Sequence, residues 1–111
     1  MTKESVLQNF GLTDAEVKVY ITLLQVGEAT ASDIAKKTGT NRTFTYDRLK
    51  KLSDIGLISS VIKDNKKYFK AADPYQFLLI LKEREEQIRD ILPELEKLKQ
   101  PVKLGPEIEV Y

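Results

Sequence analysis

The chain has 111 residues, with no histidine, no cysteine and no tryptophan, and its formal net charge at pH 7 is +1. This length allows one small domain with an appendage, and the composition excludes a thiolate zinc site, a disulfide, a cysteine nucleophile and a Ser-His-Asp triad. We therefore predict neither an enzyme nor a protein with a metal or cofactor. The opening residues, MTKESVLQNF, contain no long apolar run, so no signal peptide or membrane span is expected and a cytoplasmic setting is favoured.

Four helical patterns fill the first half of the chain. Residues 3–10 form a short apolar turn stopped by Gly11. Thr13 followed by Glu16 is a capping box, which begins a helix closed by Gly27 as a left-handed cap. The apolar face of that helix is predicted to carry Val17, Tyr20, Ile21 and Leu24.

The third and fourth patterns are joined by a short turn. Thr30 and Asp33 cap a short helix that ends at Gly39, and Thr40 or Asn41 caps the next helix, which ends at Gly56. Two helices connected in this way predict a helix-turn-helix.

A change of periodicity after Gly56 predicts a β-hairpin. LISSVI is rich in β-branched residues, KDNK has turn chemistry, and KYFKA is a second strand. A hairpin directly after a helix-turn-helix makes a winged helix. Lys63, Lys66 and Lys67 crowd the hairpin tip, although a plain edge sheet would also explain the two strands.

A long helix is predicted to begin at Asp73-Pro74, an N-cap followed by an N1 proline, and to run to about Lys99. Its apolar residues alternate at spacings of four and three, which is a heptad seam interrupted only by Arg84. The alternative is that the stripe packs on its own domain, as we expect for Leu78 and Ile80. The predicted dimerisation seam consists of Phe77, Leu81, Ile88, Ile91, Leu95 and Leu98.

Charge is distributed unevenly along the chain. Residues 33–70 carry ten Lys and Arg against four Asp and Glu, whereas both flanking segments are net acidic. A basic middle segment is typical of nucleic-acid contact, although a solvated charged face would look the same.

We predict that the polar first turn of the fourth helix contacts the bases of DNA. A buried stripe of Thr45, Leu49 and Leu52 leaves the opposite face to solvent, and the N-terminal half of such a helix enters the major groove. Arg42 is expected at phosphate or guanine, Asn41 at adenine, and Lys50 and Lys51 at phosphate. Capping alone would also explain Thr40, Asn41 and Thr43, and core packing would explain Tyr46. The predicted DNA-binding set is Thr40, Asn41, Arg42, Thr43, Phe44, Tyr46, Asp47, Lys50, Lys51, Lys63, Lys66 and Lys67.

Two stretches carry a family resemblance: GLTDAEVKVY at residues 11–20, and GEATASDIA at residues 27–35. With the run from Arg42 to Leu57, they resemble the DNA-binding domain of the TrmB family of archaeal and bacterial transcriptional regulators. Asn41 stands where that family often has proline, so the resemblance does not extend to the base preference. Larger members carry a sugar-sensing domain after the coiled coil, and the terminal GPEIEVY resembles the start of one.

The sequence thus predicts a mostly α fold with a small β-hairpin: a winged helix-turn-helix followed by a long C-terminal dimerisation helix. Its expected parts are a DNA-binding domain at 1–72, a coiled-coil helix at 73–100 and a tail at 101–111. The predicted function is sequence-specific binding of double-stranded DNA as a homodimer, and the alternative is a winged helix for protein–protein contact in a transcription-related assembly. A small-molecule effector is not expected in this chain unless it is a fragment of a longer protein.

Overall fold

The computed structural model describes residues 1–101, so the predicted sensor-like tail at Gly105–Tyr111 lies outside the described residues. The chain divides into two compact units, Met1–Ile80 and Leu81–Tyr111. The elements in chain order are α1 (Lys3–Phe10), α2 (Asp14–Val26), β1 (Glu28–Ala29), α3 (Ala31–Thr38), α4 (Arg42–Ile55), β2 (Ile58–Lys63), β3 (Lys66–Ala71) and α5 (Gln76–Leu98). The predicted fold class is confirmed: a helix-turn-helix, a hairpin and a long final helix.

Local capping signals decide where the helices begin. The Thr13–Glu16 capping box is present in both directions, with Glu16 Oε1 accepting from the Thr13 backbone N–H at 2.7 Å. Thr30 and Asn41 are the N-caps of α3 and α4. Residues 3–10, predicted as a short turn, form a regular helix because Thr2 caps it by accepting from the Ser5 N–H.

The sheet has three strands, not the predicted two. β3 lies in the centre, paired antiparallel with β2 on one side and with β1 on the other. β1 consists only of Glu28 and Ala29, which is too short for any alternation to show in the sequence. Asp64 and Asn65 connect β2 to β3 with φ of 50° and 63°, the left-handed pair that a two-residue hairpin turn requires.

Two helix ends differ from prediction. Gly27 ends α2 with φ 87° and ψ −72°, outside the left-handed helical region, because the chain turns directly into β1. The last helix begins at Gln76 and not at Pro74: Asp73 Oδ1 accepts from the Tyr75 N–H and the Asp73 carbonyl from the Gln76 N–H, forming a separate turn first.

The core of the first unit lies between α2, α3, α4 and the sheet. α2 contributes Val17, Val19, Tyr20 and Leu23, whereas Leu24, predicted for its apolar face, is exposed. The Tyr20 hydroxyl donates to the Ala72 carbonyl at 3.1 Å, which joins α2 to the end of β3. The ring of Phe77 packs edge-on against Tyr20 and Phe10, so this residue of the predicted dimerisation seam is used inside the first unit.

The second unit contains α5 from Leu81 onward, and α5 continues through Pro93 to Leu98. Every described residue of this unit is exposed. Of the two residues expected to pack on their own domain, Ile80 is buried but Leu78 is exposed.

Candidate nucleic-acid interface

Helix α4 is fixed by its buried stripe and by a hydroxyl network at its start. Thr45, Leu49 and Leu52 are buried, as predicted. The Thr45 hydroxyl donates to the Asn41 carbonyl at 3.0 Å and lies 2.9 Å from the Thr40 hydroxyl, which in turn lies 3.1 Å from that of Thr38. Gly39 supplies the left-handed residue, φ 72°, that lets α3 stop and α4 begin. These contacts hold the first turn of α4 in one orientation.

The hydroxyl network and the helix cap use two residues that were predicted to touch DNA. The Asn41 side-chain oxygen accepts from the Phe44 N–H at 2.9 Å, and the Thr40 hydroxyl is engaged with Thr38 and Thr45. A bidentate contact with adenine needs both ends of an asparagine amide. The cap occupies one of the two lone pairs of Asn41 Oδ1 and fixes the orientation of the amide, so Asn41 can contact adenine only in the orientation that the cap sets.

The solvent side of α4 presents Thr43, Phe44, Asp47 and Lys50, all exposed. Phe44 is 54% exposed, and the Arg48 guanidinium carbon lies 5.8 Å from its ring centroid. Arg48, which is half-buried, was not among the predicted site residues.

Lys51 lies on the edge of this face, two helical turns after Phe44. Its ammonium nitrogen is 3.6 Å from Oε2 of Glu16 on α2, whose side chain is buried. The structure therefore pairs Lys51 with a carboxylate of its own chain, although the sequence predicted a phosphate contact.

The three lysines predicted at the hairpin tip have different surroundings. Lys63 forms a 2.7 Å ion pair with Glu28 of β1, and this hydrogen bond lowers the pKa of the Glu28 carboxyl. Lys66 and Lys67 are adjacent at the start of β3, and both are exposed. Lys67 lies on the side of α4, with its ammonium 5.4 Å from the Phe69 ring centroid.

Helix α4 and the hairpin border a common open groove of about 540 Å³. Arg42 and Tyr46 contribute from α4, and Asn65, Lys66 and Lys67 from the hairpin turn and β3. The N-terminal end of α3, with Thr30, Ser32 and the carboxylate residue Asp33, forms the remaining side. The groove thus brings together four of the predicted DNA-binding residues: Arg42, Tyr46, Lys66 and Lys67. Asn65 was not among the predicted residues, because KDNK indicated only a hairpin turn in the sequence.

The second unit shows the remaining predicted seam residues on α5. Leu81, Ile88, Ile91, Leu95 and Leu98 are between 41% and 75% exposed. Leu92, outside the predicted spacing, is also exposed and borders a shallow surface with Leu81 and Ile88. The apolar stripe is therefore wider than a single heptad seam.

Residues 1–101 contain no cluster of three or more His, Cys, Asp or Glu side chains that could hold a metal ion. Within the same residues, no helix combines the length and apolar character needed to cross a membrane.

A helix-turn-helix whose second helix presents a polar face beside a basic hairpin defines a winged helix-turn-helix domain. Residues 7–75 match the family model described as sugar-specific transcriptional regulator TrmB. The chain belongs to the TrmB family, whose members are transcription regulators and not enzymes.

Relatives agree with this assignment. The HTH-type sugar sensing transcriptional regulator TrmBL1 of Pyrococcus furiosus is 34% identical over 85 residues, which are 77% of this chain and 24% of the relative. The match thus spans about a quarter of that curated protein.

Solved structures show the same fold at lower identity. TrmBL2, described as an archaeal chromatin protein, superposes with a TM-score of 0.73 at 23% identity over 86% of this chain and 36% of that one. A possible transcriptional regulator from Methanosarcina mazei Go1 superposes with a TM-score of 0.64 at 17% identity over 91% of both chains.

Proposed function

We propose that this chain is a sequence-specific regulator of transcription that binds double-stranded DNA as a homodimer. The observation that carries the proposal is the shared groove, which is lined by Arg42 of α4 and by Lys66 and Lys67 of the hairpin. A helix in the major groove and a basic hairpin on the adjacent backbone together form the usual contact of this fold with DNA.

The base-contacting residues that we propose are exposed side chains of α4 that neither cap the helix nor form an ion pair within residues 1–101. Thr43 and Asp47 are exposed on α4, and Arg42 reaches the groove. Arg42 can bind guanine through two hydrogen bonds, and Asp47 can accept from a cytosine amine. Thr40 and Asn41 fix the conformation of the first turn of α4. Phe44 offers an apolar surface to the DNA, and Tyr46 borders the groove.

Phosphate contact is assigned to the cations that no described carboxylate neutralises. Lys50, Lys66 and Lys67 are exposed, and no ion pair involves them within residues 1–101. Lys51 and Lys63 each have an acidic partner, so their contribution to DNA affinity is expected to be smaller.

Homodimerisation is assigned to α5. Its exposed stripe contains Leu81, Ile88, Ile91, Leu92 and Leu95, and so large an apolar surface is normally covered by a partner. A second copy supplies the same stripe by two-fold symmetry. Residues 1–72 then form the DNA-binding part and 73–100 the dimerisation part.

We propose no effector for residues 1–101, since TrmBL1, with sugar sensing in its name, is matched over only 24% of its length.

Selection of bound sequences from random duplex DNA tests the function directly. We expect a palindromic consensus, and Arg42→Ala should weaken binding to it by about 1–3 kcal/mol and relax the preference at one base position. Lys18→Ala on α2 removes the same charge away from the groove and should leave the preference unchanged.

A salt titration separates this function from the alternatives. Phosphate contact makes log affinity fall with log salt by roughly 0.9 per neutralised phosphate. A protein-interaction module would show no such slope on DNA. A steep slope without any consensus would indicate sequence-independent binding and would contradict the proposal.

A further inference from the structure

Arg42 is held by contacts within its own helix. Its Nη2 atom is 3.4 Å from the hydroxyl oxygen of Tyr46, one turn further along α4, and donates a long hydrogen bond to it. The guanidinium carbon also lies 5.5 Å from the centroid of the Tyr46 ring. One side chain thus contacts the guanidinium both through its aromatic ring and through a single hydrogen bond.

Tyr46 is itself positioned by the sheet. Its ring meets that of Phe69 at 6.4 Å between centroids with an interplanar angle of 77°. Phe69 lies in the central strand β3 and is only 3% exposed, so it belongs to the core. Tyr46 is 39% exposed. The contacts therefore run from the core through Phe69 and Tyr46 to the guanidinium at the groove.

A held arginine differs physically from a free one. Arginine has one of the most flexible side chains, and ordering it on binding costs conformational entropy. A guanidinium beside an aromatic ring keeps N–H groups along its edge, and these are the groups that bind guanine in a bidentate contact. Holding the group before DNA arrives reduces the entropy lost on binding.

We infer that Tyr46 is a positioning residue, which sets the base preference of this protein by orienting Arg42. The inference rests on the proposed function and adds to it the residue that prepares Arg42 for base contact. Tyr46 itself needs no bond to a base. Its influence on DNA binding passes through the guanidinium.

A double-mutant cycle on the selected DNA site tests this inference. Tyr46→Phe keeps the ring and removes the hydroxyl, and we expect binding about threefold weaker. Tyr46→Leu removes both contacts, and we expect binding about tenfold weaker, with a similar loss of preference at the base read by Arg42. In an Arg42→Ala background, each Tyr46 substitution should change affinity by less than about twofold, since the group that it positions is absent.

A measurement on the free protein gives a readout independent of DNA. The Arg42 Nε–H resonance should carry a ring-current shift from Tyr46, retained in Tyr46→Phe and lost in Tyr46→Leu. Thermal unfolding of each variant checks that the domain is intact, and Tyr46→Phe provides the test if Tyr46→Leu fails to fold.

The outcomes separate the two proposals. An equal loss of affinity from Tyr46→Phe with and without Arg42 would overturn the inference alone, because Tyr46 would then act by its own contact. A base preference that both Tyr46 variants retain in full would also overturn it alone. Wild-type protein that prefers no base at any position would overturn the proposed function together with this inference.

Discussion

The buried carboxylate of Glu16 on α2 lies 3.6 Å from the ammonium group of Lys51 on α4. Glu16 is 1% exposed and also completes the capping box of α2 through the Thr13 N–H. The same side chain therefore caps one helix and supplies the counter-charge for a cation on the helix proposed to read DNA. The ion pair joins α2 to α4 at the edge of the core.

Lys50 and Lys51 are adjacent in sequence and should behave differently when each is replaced by glutamine. Lys51→Gln leaves the Glu16 charge without its cation, and we expect a loss of about 1–2 kcal/mol in unfolding free energy. The loss is below that of a fully buried pair because the Lys51 side chain is 59% exposed. Lys50→Gln should leave stability unchanged and make the salt dependence of DNA binding shallower by roughly 0.9. Denaturant unfolding and salt titration of both variants would show whether the roles are instead reversed.

The lysines of the hairpin should also differ in how much each contributes to DNA affinity. Replacing Lys66 and Lys67 together by glutamine should preserve folding and make the salt slope shallower by up to about two units. Lys63→Gln should have a smaller effect, because Lys63 is paired with Glu28 at 2.7 Å. Titrations of the double variant and of Lys63→Gln at several salt concentrations measure this, and an effect of Lys63→Gln equal to the effect per lysine in the double variant would contradict it.

Removing the acidic partner should strengthen DNA binding. Glu28→Gln frees Lys63 for phosphate, so the salt slope should become steeper by up to roughly 0.9. Acidification should act in the same direction, because Lys63 lowers the pKa of Glu28. A carboxyl with a lowered pKa contributes stability above its unfolded pKa and loses it as pH falls through the folded value, which here releases Lys63. In the Glu28→Gln variant, this increase of DNA affinity on acidification should be absent.

Asn41 offers a test of capping against base contact. Asn41→Ala should destabilise the domain by about 1 kcal/mol, since the Phe44 N–H loses its acceptor. Asn41→Ser keeps a capping oxygen but has no amide group. If Asn41 only caps α4, Asn41→Ser should preserve both stability and base preference. A changed consensus for Asn41→Ser would show that the amide contacts DNA.

The proposed dimer depends on the apolar stripe of α5. Ile88→Asp with Leu95→Asp would place charge in the paired surface, and we expect a folded monomer that binds a palindromic site much more weakly. Lys82→Gln with Lys97→Gln changes the net charge by the same two units on other faces of α5, and this control should remain a dimer. Sedimentation with titrations on full and half sites measures both. A double aspartate variant that stays dimeric would contradict the assignment.

Because of Tyr20, the free energy of unfolding should depend on pH in the alkaline range. Burial raises the pKa of the Tyr20 phenol, and the nearby Asp73 charge adds to the increase. A raised pKa means that the stabilisation is complete below about pH 10 and is lost as pH rises toward the folded value. Tyr20→Phe should remove this loss and cost about 0.5–1.5 kcal/mol at neutral pH, because the Ala72 carbonyl loses its donor. Tyr75→Phe is the matched control, because Tyr75 is 76% exposed.

Local chemistry in the sequence was enough to predict most of the fold. The capping box at Thr13 and Glu16, the glycines that end α3 and α4, and the turn chemistry of KDNK all act within a few residues, so their signals can be read directly from the chain. The buried stripe of α4 was predicted for the same reason, because Thr45, Leu49 and Leu52 repeat with the period of one helix. The family could also be identified at this level, from the segments at residues 11–20 and 27–35.

Only the tertiary structure decided which polar side chains form ion pairs or hydrogen bonds with other residues of the chain. Lys51 and Glu16 are 35 positions apart in the sequence, as are Lys63 and Glu28, and no local pattern couples residues at that separation. The strand β1 and the use of Phe77 in the core likewise depend on packing against distant elements. Tyr46 and Arg42 are one helical turn apart, yet the contact of Tyr46 with Phe69 required β3 to lie beside α4. Surface cations look alike in a sequence because ion-pair energies depend on distance and burial, which the fold determines.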